Sequence, residues 1–183
     1  MIRNTIYKVV CGLALSGIHG AALAEVMDSA PNGFTVRYEV EVAAERPVVY
    51  AAAVAQVGDW WSSDHTVSGD AANLSMTTTI PGCFCESLGD DAGLVHMIVS
   101  FVSPGSMIRL TGGLGPLGLM GVDGNMTWEF VDTETGTSVT LQYAVGGYMA
   151  GGLDTVAPAV DGVLTEAMNR LKAYVETGDA GQG

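Results

Sequence analysis

Residues 155–176 read TVAPAVDGVLTEAMNRLKAYVE. Val156, Val160, Val163, Leu164, Ala167, Met168, Leu171, Tyr174 and Val175 fall on one side of a 3.6-residue repeat. Asp161, Glu166, Asn169, Arg170 and Lys172 fall mostly between them. This spacing predicts a long amphipathic helix with one wide apolar stripe, and Lys172 near its end suits the helix dipole. A stripe this wide needs an apolar surface to lie on.

Working back along the chain, that surface is a set of strands. In 33-GFTVRYEVEV-42, Phe34, Val36, Tyr38, Val40 and Val42 alternate with Thr35, Arg37, Glu39 and Glu41, the period-2 pattern of a strand with one buried face. Further strand-like pieces run over 73–80, 83–88, 94–102, 107–111, 125–132 and 137–145, separated by turn residues. The segment 89-GDDAG-93 joins two of them as a hairpin. Between the first strand and the rest, 48-VVYAAAVAQV-57 follows Arg46-Pro47 and reads as a short helix ended by Gly58-Asp59. Residues 60–66 follow it as a loop or a second short helix. The fold class is therefore α+β: a curved antiparallel sheet of about six to seven strands, two short helices and a long C-terminal helix laid across one face. The mouth of such an arrangement is a usual place for an apolar ligand pocket.

The N-terminus reads as a secretory signal. Arg3 and Lys8 precede the apolar run Val9 to Ile18, which is too short to span a membrane, and Ala22-Leu23-Ala24 is a cleavage site. Residues 1–24 are thus expected to be removed, 25–32 to form a flexible leader, 33–177 to form one domain and 178–183 to be a disordered tail. Export would be to a periplasm or the exterior, with no membrane insertion after processing. Losing Arg3 and Lys8 takes the formal charge from −13 to −15, which excludes nucleic acid and anionic lipid surfaces as partners.

The stretch 81-PGCFCESL-88 holds Cys83 and Cys85, the two cysteines that survive processing. In a regular strand such neighbours lie about 6.6 Å apart, whereas a disulfide needs Cβ atoms about 3.8 Å apart. The strand would have to break, so two packed thiols are expected. A metal site would need both His65 and His96 to complete four ligands, and C-x-C is poor zinc spacing, so no metal is expected. No dinucleotide, P-loop, G-x-S-x-G or H-E-x-x-H pattern occurs, and no cofactor is expected.

With Leu88 paired to Leu94, Glu86 faces His96, Phe84 faces Ile98, Cys85 faces Met97 and Cys83 faces Val99. Glu86 and His96 then form a candidate acid–base pair if Phe84's face is the inner one. The alternative is a solvent-facing pair, and composition favours it: Cys83, Cys85, Val95, Met97, Val99 and Phe101 make the more apolar face. Trp60 and Trp61 are candidates for a pocket rim and for core packing, one in each role. His65 is expected to fix its loop by a hydrogen bond. The run 112-GGLGPLGLMG-121, with Leu114 and Leu117, fits an apolar flap or a connection packed on the core. Ile98 opposite Phe84, Tyr143 and Tyr148 near the last strand and its exit, and Met168 of the helix stripe complete the expected lining.

The element order resembles the START/Bet v 1-like (SRPBCC) helix-grip superfamily. Several motifs are similar to its branch related to the activator of Hsp90 ATPase and the polyketide cyclases. They are Trp60-Trp61 with His65-Thr66 and Gly69; Pro81-Gly82-Cys83-Phe84-Cys85-Glu86; Val95-His96-Met97-Ile98-Val99; Gly112-Gly113-Leu114-Gly115-Pro116-Leu117; and Val160-Asp161-Gly162-Val163-Leu164 to Arg170-Leu171. The resemblance covers most of 33–178. It implies a cavity for a lipid, sterol or other hydrophobic molecule between sheet and helix, with the Phe84 position turned toward it. In some members it implies cyclisation or dehydration of polyketides. The Hsp90-activating role belongs to cytosolic proteins, which an export signal contradicts. Three functions follow for testing: a carrier of a hydrophobic small molecule, a cyclase- or dehydratase-type enzyme using Glu86 and His96, and a protein-interaction module using 112–121.

Overall fold

The computed structural model describes residues 23–181. The signal expected over 1–24 lies outside the described residues except for its last two positions. Those two open the first strand, β1 (Leu23–Ala30), which pairs antiparallel with β2 (Gly33–Val42). The stretch expected as a flexible leader is therefore an edge strand. Its backbone groups find partners in β2 across the two-residue Pro31-Asn32 turn, which the composition of 25–32 does not advertise.

After β2 come α1 (Arg46–Ala55), with Pro47 in its first turn, and α2 (Val57–Trp60). Gly58-Asp59 lie inside α2; the break falls two residues before Gly58, at Gln56. The chain then crosses to the far edge and returns as a meander: β3 (Leu74–Met76), β4 (Gly82–Gly89), β5 (Ala92–Ser103), β6 (Met107–Thr111), β7 (Gly121–Asp132) and β8 (Thr137–Tyr148). The eight-stranded sheet has the order β1-β2-β8-β7-β6-β5-β4-β3, one strand beyond the expected range because of β1. α3 (Ala157–Thr177) lies over one face of the sheet, with Pro158 in the first turn and Gly178 at φ 79° closing the last turn by donating its N–H to the Tyr174 carbonyl.

The core sits where α1, α2 and the C-terminal half of α3 meet β2, β7 and β8. Tyr38, Leu141, Leu164, Met168 and Leu171 are fully buried there. Polar ties hold the helices in place. The Trp60 indole donates to the Ala52 carbonyl, Arg170 Nε donates to the Trp60 carbonyl, and the Tyr38 hydroxyl donates to Asp161. Burial, then the bond and charge of Asp161, push the Tyr38 hydroxyl well above its ordinary pKa. Of the expected tail, residues 178–181 fold back far enough for Arg170 to bond the Gly181 carbonyl and for Ala180 to pack on the core; 182–183 lie outside the described residues.

The β4–β5 hairpin differs from its expected register. Its turn is the two residues Asp90-Asp91, both at positive φ, with Gly89 paired to Ala92. Leu88 then bulges from β4 and His96 from β5, so Glu86 pairs with Leu94, Cys85 with Val95 and Phe84 with Met97. A bulge lets two successive residues face the same way. His96 and Met97 are both buried, and Glu86, Phe84 and Val99 share that inner face. Val95, Ile98 and Phe101 lie on the outer face, 41–52% exposed. The expectation of a solvent-facing Glu86–His96 pair is thus corrected: a bulge cannot be read from alternation alone. Cys83 and Cys85 are joined as a disulfide with Cα atoms 5.5 Å apart, where packed thiols were expected. The irregular pairing opposite them leaves β4 more contracted than the regular strand assumed in the sequence argument.

Candidate functional site

A cavity of about 360 Å³ opens between the β4–β5 end of the sheet and the N-terminal half of α3. Trp61, Phe84 and His96 form one wall; Val156, just before α3, and Val160 and Val163 of α3 form the other. The loop 112–120 and the turn 64–67 close the ends. Ring centroids of Trp61 and Phe84 are 5.4 Å apart and those of Phe84 and His96 5.2 Å, so the first wall is a continuous aromatic surface.

The loop 112–120 both packs on the core and lines the cavity. Leu117 is buried in the core, while Leu114, Pro116 and Met120 line the cavity and Leu119 is 91% exposed. Tyr143 holds it: its hydroxyl donates to the Gly112 carbonyl and accepts from the Leu114 amide. Gly124 makes room for that ring, since a Cβ there would stand 2.6 Å from Tyr143 Cε2. Burial, the largest influence, pushes the Tyr143 hydroxyl up to about 12.

Behind the aromatic wall lies a buried hydrogen-bonded pair. His96 Nε2 is 2.8 Å from Glu86 Oε2, with side chains 5% and 0% exposed. The Glu86 carboxylate also accepts from the Val67 amide at 3.1 Å and the Ser68 amide at 2.5 Å. Gly69, at φ 77°, turns the chain just beyond these two amides. Burial alone would raise the Glu86 pKa, but hydrogen bonds from Ser68, Val67 and His96 outweigh it and lower it from 4.5 to about 2. An ionised carboxylate only accepts. His96 Nε2 therefore carries the proton of the shared bond. Nδ1 is buried and makes no hydrogen bond among the described residues.

At the mouth, His65 Nε2 lies 3.0 Å from Glu166 Oε2, fastening the turn 63–65 to α3. Burial would raise the Glu166 carboxyl, but bonds from Ser62 and His65, together with the His65 and Arg170 charges, hold it below its ordinary range. The Trp61 indole donates to the His65 carbonyl.

The structure brings together Glu86, His96, Trp61, Phe84, Leu114 and Leu117 from the residues singled out in the sequence. The others lie elsewhere. Trp60 and Met168 are fully buried in the core beneath the helices, and Tyr143 stands behind the loop as its support. Ile98 is carried to the outer face by the His96 bulge, and Tyr148 is 75% exposed at the end of β8. Val156, Val160 and Val163 were legible only as part of the helix stripe, where nothing divides cavity from core. The two amides that hold Glu86 carry no side-chain signal. Among the described residues, no group of three or more His, Cys, Asp or Glu side chains gathers as a metal site. No described helix is long and apolar enough to cross a membrane.

The model of the family described as polyketide cyclase / dehydrase and lipid transport matches residues 33–176. No curated protein matches the chain. Among solved structures, an uncharacterised protein from Rhizobium leguminosarum is 18% identical, with a TM-score of 0.58 over 85% of this chain and 97% of its own. DynU16, from the dynemicin biosynthetic locus, is 20% identical, with a TM-score of 0.58 over 80% of this chain and 48% of its own. Aha1 from Colwellia psychrerythraea is 14% identical, with a TM-score of 0.57 over 79% of this chain and 97% of its own. Identities this low speak to the fold alone.

Proposed function

Because the chain belongs to the polyketide cyclase / dehydrase and lipid transport family, we propose that it binds a hydrophobic small molecule, lipid or polyketide-like, between its sheet and its C-terminal helix. One observation carries the reading: the cavity of about 360 Å³ is walled by Trp61 and Phe84 on one side and by valines of α3 on the other. Ligand sites usually measure about 300–1,000 Å³ and combine apolar walls with a few placed polar groups. The test is native mass spectrometry of the protein purified without detergent. An apolar molecule that stays bound and is lost on denaturation is the expected result. Bare protein from every preparation, with no uptake from an added lipid extract, would count against binding.

A second reading is favoured by the buried Glu86–His96 pair. In a cyclase- or dehydratase-type reaction His96 would be the acid–base group, while Glu86 fixes the ring and offsets the imidazolium charge. The two readings part on the fate of the bound molecule. A carrier returns it unchanged after incubation, and an enzyme returns it cyclised or short of one water. The 112–121 loop as a protein contact draws support only from exposed Leu119.

We also propose that the protein is exported. The signal pattern of residues 1–24 supports this, as does the Cys83–Cys85 disulfide, a bond favoured in oxidising compartments. Cleavage after Ala24 would leave Glu25–Ala30 to form the edge strand. N-terminal sequencing of the cell-envelope or culture fraction checks it, with Glu25 as the expected first residue.

A further inference from the structure

We propose that the Cys83–Cys85 disulfide is a reversible redox site whose partner is a dithiol, and that its state sets the shape of the cavity wall and, through it, ligand affinity. The claim about affinity rests on the cavity being a ligand site; the redox site and its hold on the wall do not.

This disulfide does little of what a structural crosslink does. It joins residues two apart on one strand, so it ties no two elements together and closes a very small loop, where the entropic gain is least. Phe84 and Glu86 face inward, so the half-buried cystine between and before them lies on the outer face of the sheet. Cys85 pairs with Val95 and Ser75, and Cys83 with Ile98, and all three partners are exposed. Solvent, and a thiol in it, reaches this face.

The same bond shapes the wall from behind. It holds the Cα atoms of Cys83 and Cys85 5.5 Å apart, whereas a regular strand places such neighbours about 6.6 Å apart. Phe84, between them, turns the other way into the cavity wall, with its ring 5.4 Å from that of Trp61. Glu86, next on that face, is held by the Val67 and Ser68 amides. Across the ladder, β5 bulges at His96, between Val95 and Ile98, the partners of the two cysteines. Opening the bond frees β4 to lengthen by about 1 Å at the step that sets Phe84 against Trp61 and Glu86 against the 67–68 turn.

In the exchange a thiolate of the dithiol attacks one sulfur, the S–S bond breaks and a mixed disulfide forms; the dithiol's second thiolate then displaces the cysteine. Cys83 and Cys85 gain two electrons and two protons, and the dithiol is oxidised to its own disulfide. The two thiols remain neighbours on one face of the strand, which keeps them placed for reoxidation.

The test equilibrates the folded full chain with mixtures of reduced and oxidised dithiothreitol. Thiol alkylation with peptide mass spectrometry reads the bond, the amide resonances of Val67 and Ser68 read the wall, and an uncharged naphthalene dye reads affinity. The bond should open in the folded chain, both resonances should shift, and dye binding should weaken about fivefold, the worth of one aromatic contact. Oxidised dithiothreitol should restore all three. Cys83→Ser/Cys85→Ser should match the reduced chain and ignore dithiothreitol, which rules out Cys11 as the source; should that variant fail to fold, the native titration alone decides. Thiols that stay free in oxidised dithiothreitol, or a bond that opens only with unfolding, overturn the redox site. A bond that opens while the Val67 and Ser68 resonances stay put overturns its hold on the wall. Shifted resonances with unchanged dye affinity overturn its control of binding. Shifted resonances in a chain that binds no dye in either state uphold the redox site and overturn the ligand reading instead.

Discussion

The two halves of α3 carry one uninterrupted apolar stripe, yet they meet different surroundings. Leu164, Met168 and Leu171 in the C-terminal half are fully buried against β2 and the short helices. Val160 and Val163 in the N-terminal half, with Val156 just before it, are only partly buried and line the cavity. The stripe is continuous because both halves avoid water. What differs is the opposing surface: filled by Tyr38, Trp60 and Leu141 at one end, and held back by the aromatic wall and the 112–120 loop at the other. Hydrophobic periodicity reports the need for burial and says nothing about whether protein or ligand supplies it.

Substitutions along the helix should expose that difference. Leu164→Ala, in the packed half, is expected to cost about 4 kcal/mol of stability, since the filled core cannot close around the lost methyls. Chemical denaturation measures it, and a loss below about 1 kcal/mol would mean the packed half is not packed. Glu86→Gln keeps the shape but removes the charge that three donors hold. With the carboxyl lowered from 4.5 to about 2, the native protein should lose about 3 kcal/mol at neutral pH. A depressed carboxyl stabilises above pH 4.5, and this contribution fades as pH falls toward 2. Wild type should therefore weaken through that window, and the variant should lack this component of the decline.

In the open half, Val160→Phe grows into the cavity. Stability should change by less than about 1 kcal/mol, because the added ring meets space rather than packed atoms. Binding of apolar compounds should fall. Leu119→Ser, at the exposed tip of the loop, should leave stability within about 0.5 kcal/mol of wild type. It should also leave small-molecule binding intact; loss of binding there would move the site toward the loop surface.

Much of the architecture was legible in the chain. The 33–42 alternation and the 155–176 stripe have strong single periods, and they became β2 and α3. β1 was not legible because Glu25–Ala30 is short, polar-edged and adjacent to a signal-like segment. The site was legible as residue types but not as geometry. Phe84, Glu86 and His96 stood out by chemistry and were expected on one face, but that this face is the inner one depends on the bulge at His96, which turns Met97 and Val99 to the same side. The same irregularity misled the reading of Cys83 and Cys85, which assumed an ideal strand. Trp60 and Trp61 are neighbours of one type, and only tertiary packing separates the core residue from the wall residue.

The most direct test of a ligand site in the open half of the helix grip is to titrate wild type and Val160→Phe in parallel with an uncharged, polarity-sensitive naphthalene dye. Wild type should bind one dye per chain with a blue-shifted emission, and Val160→Phe should weaken binding by at least about tenfold while remaining folded. Equal binding by the two proteins would contradict the account, because the dye would then be held somewhere other than between α3 and the Trp61–Phe84–His96 wall.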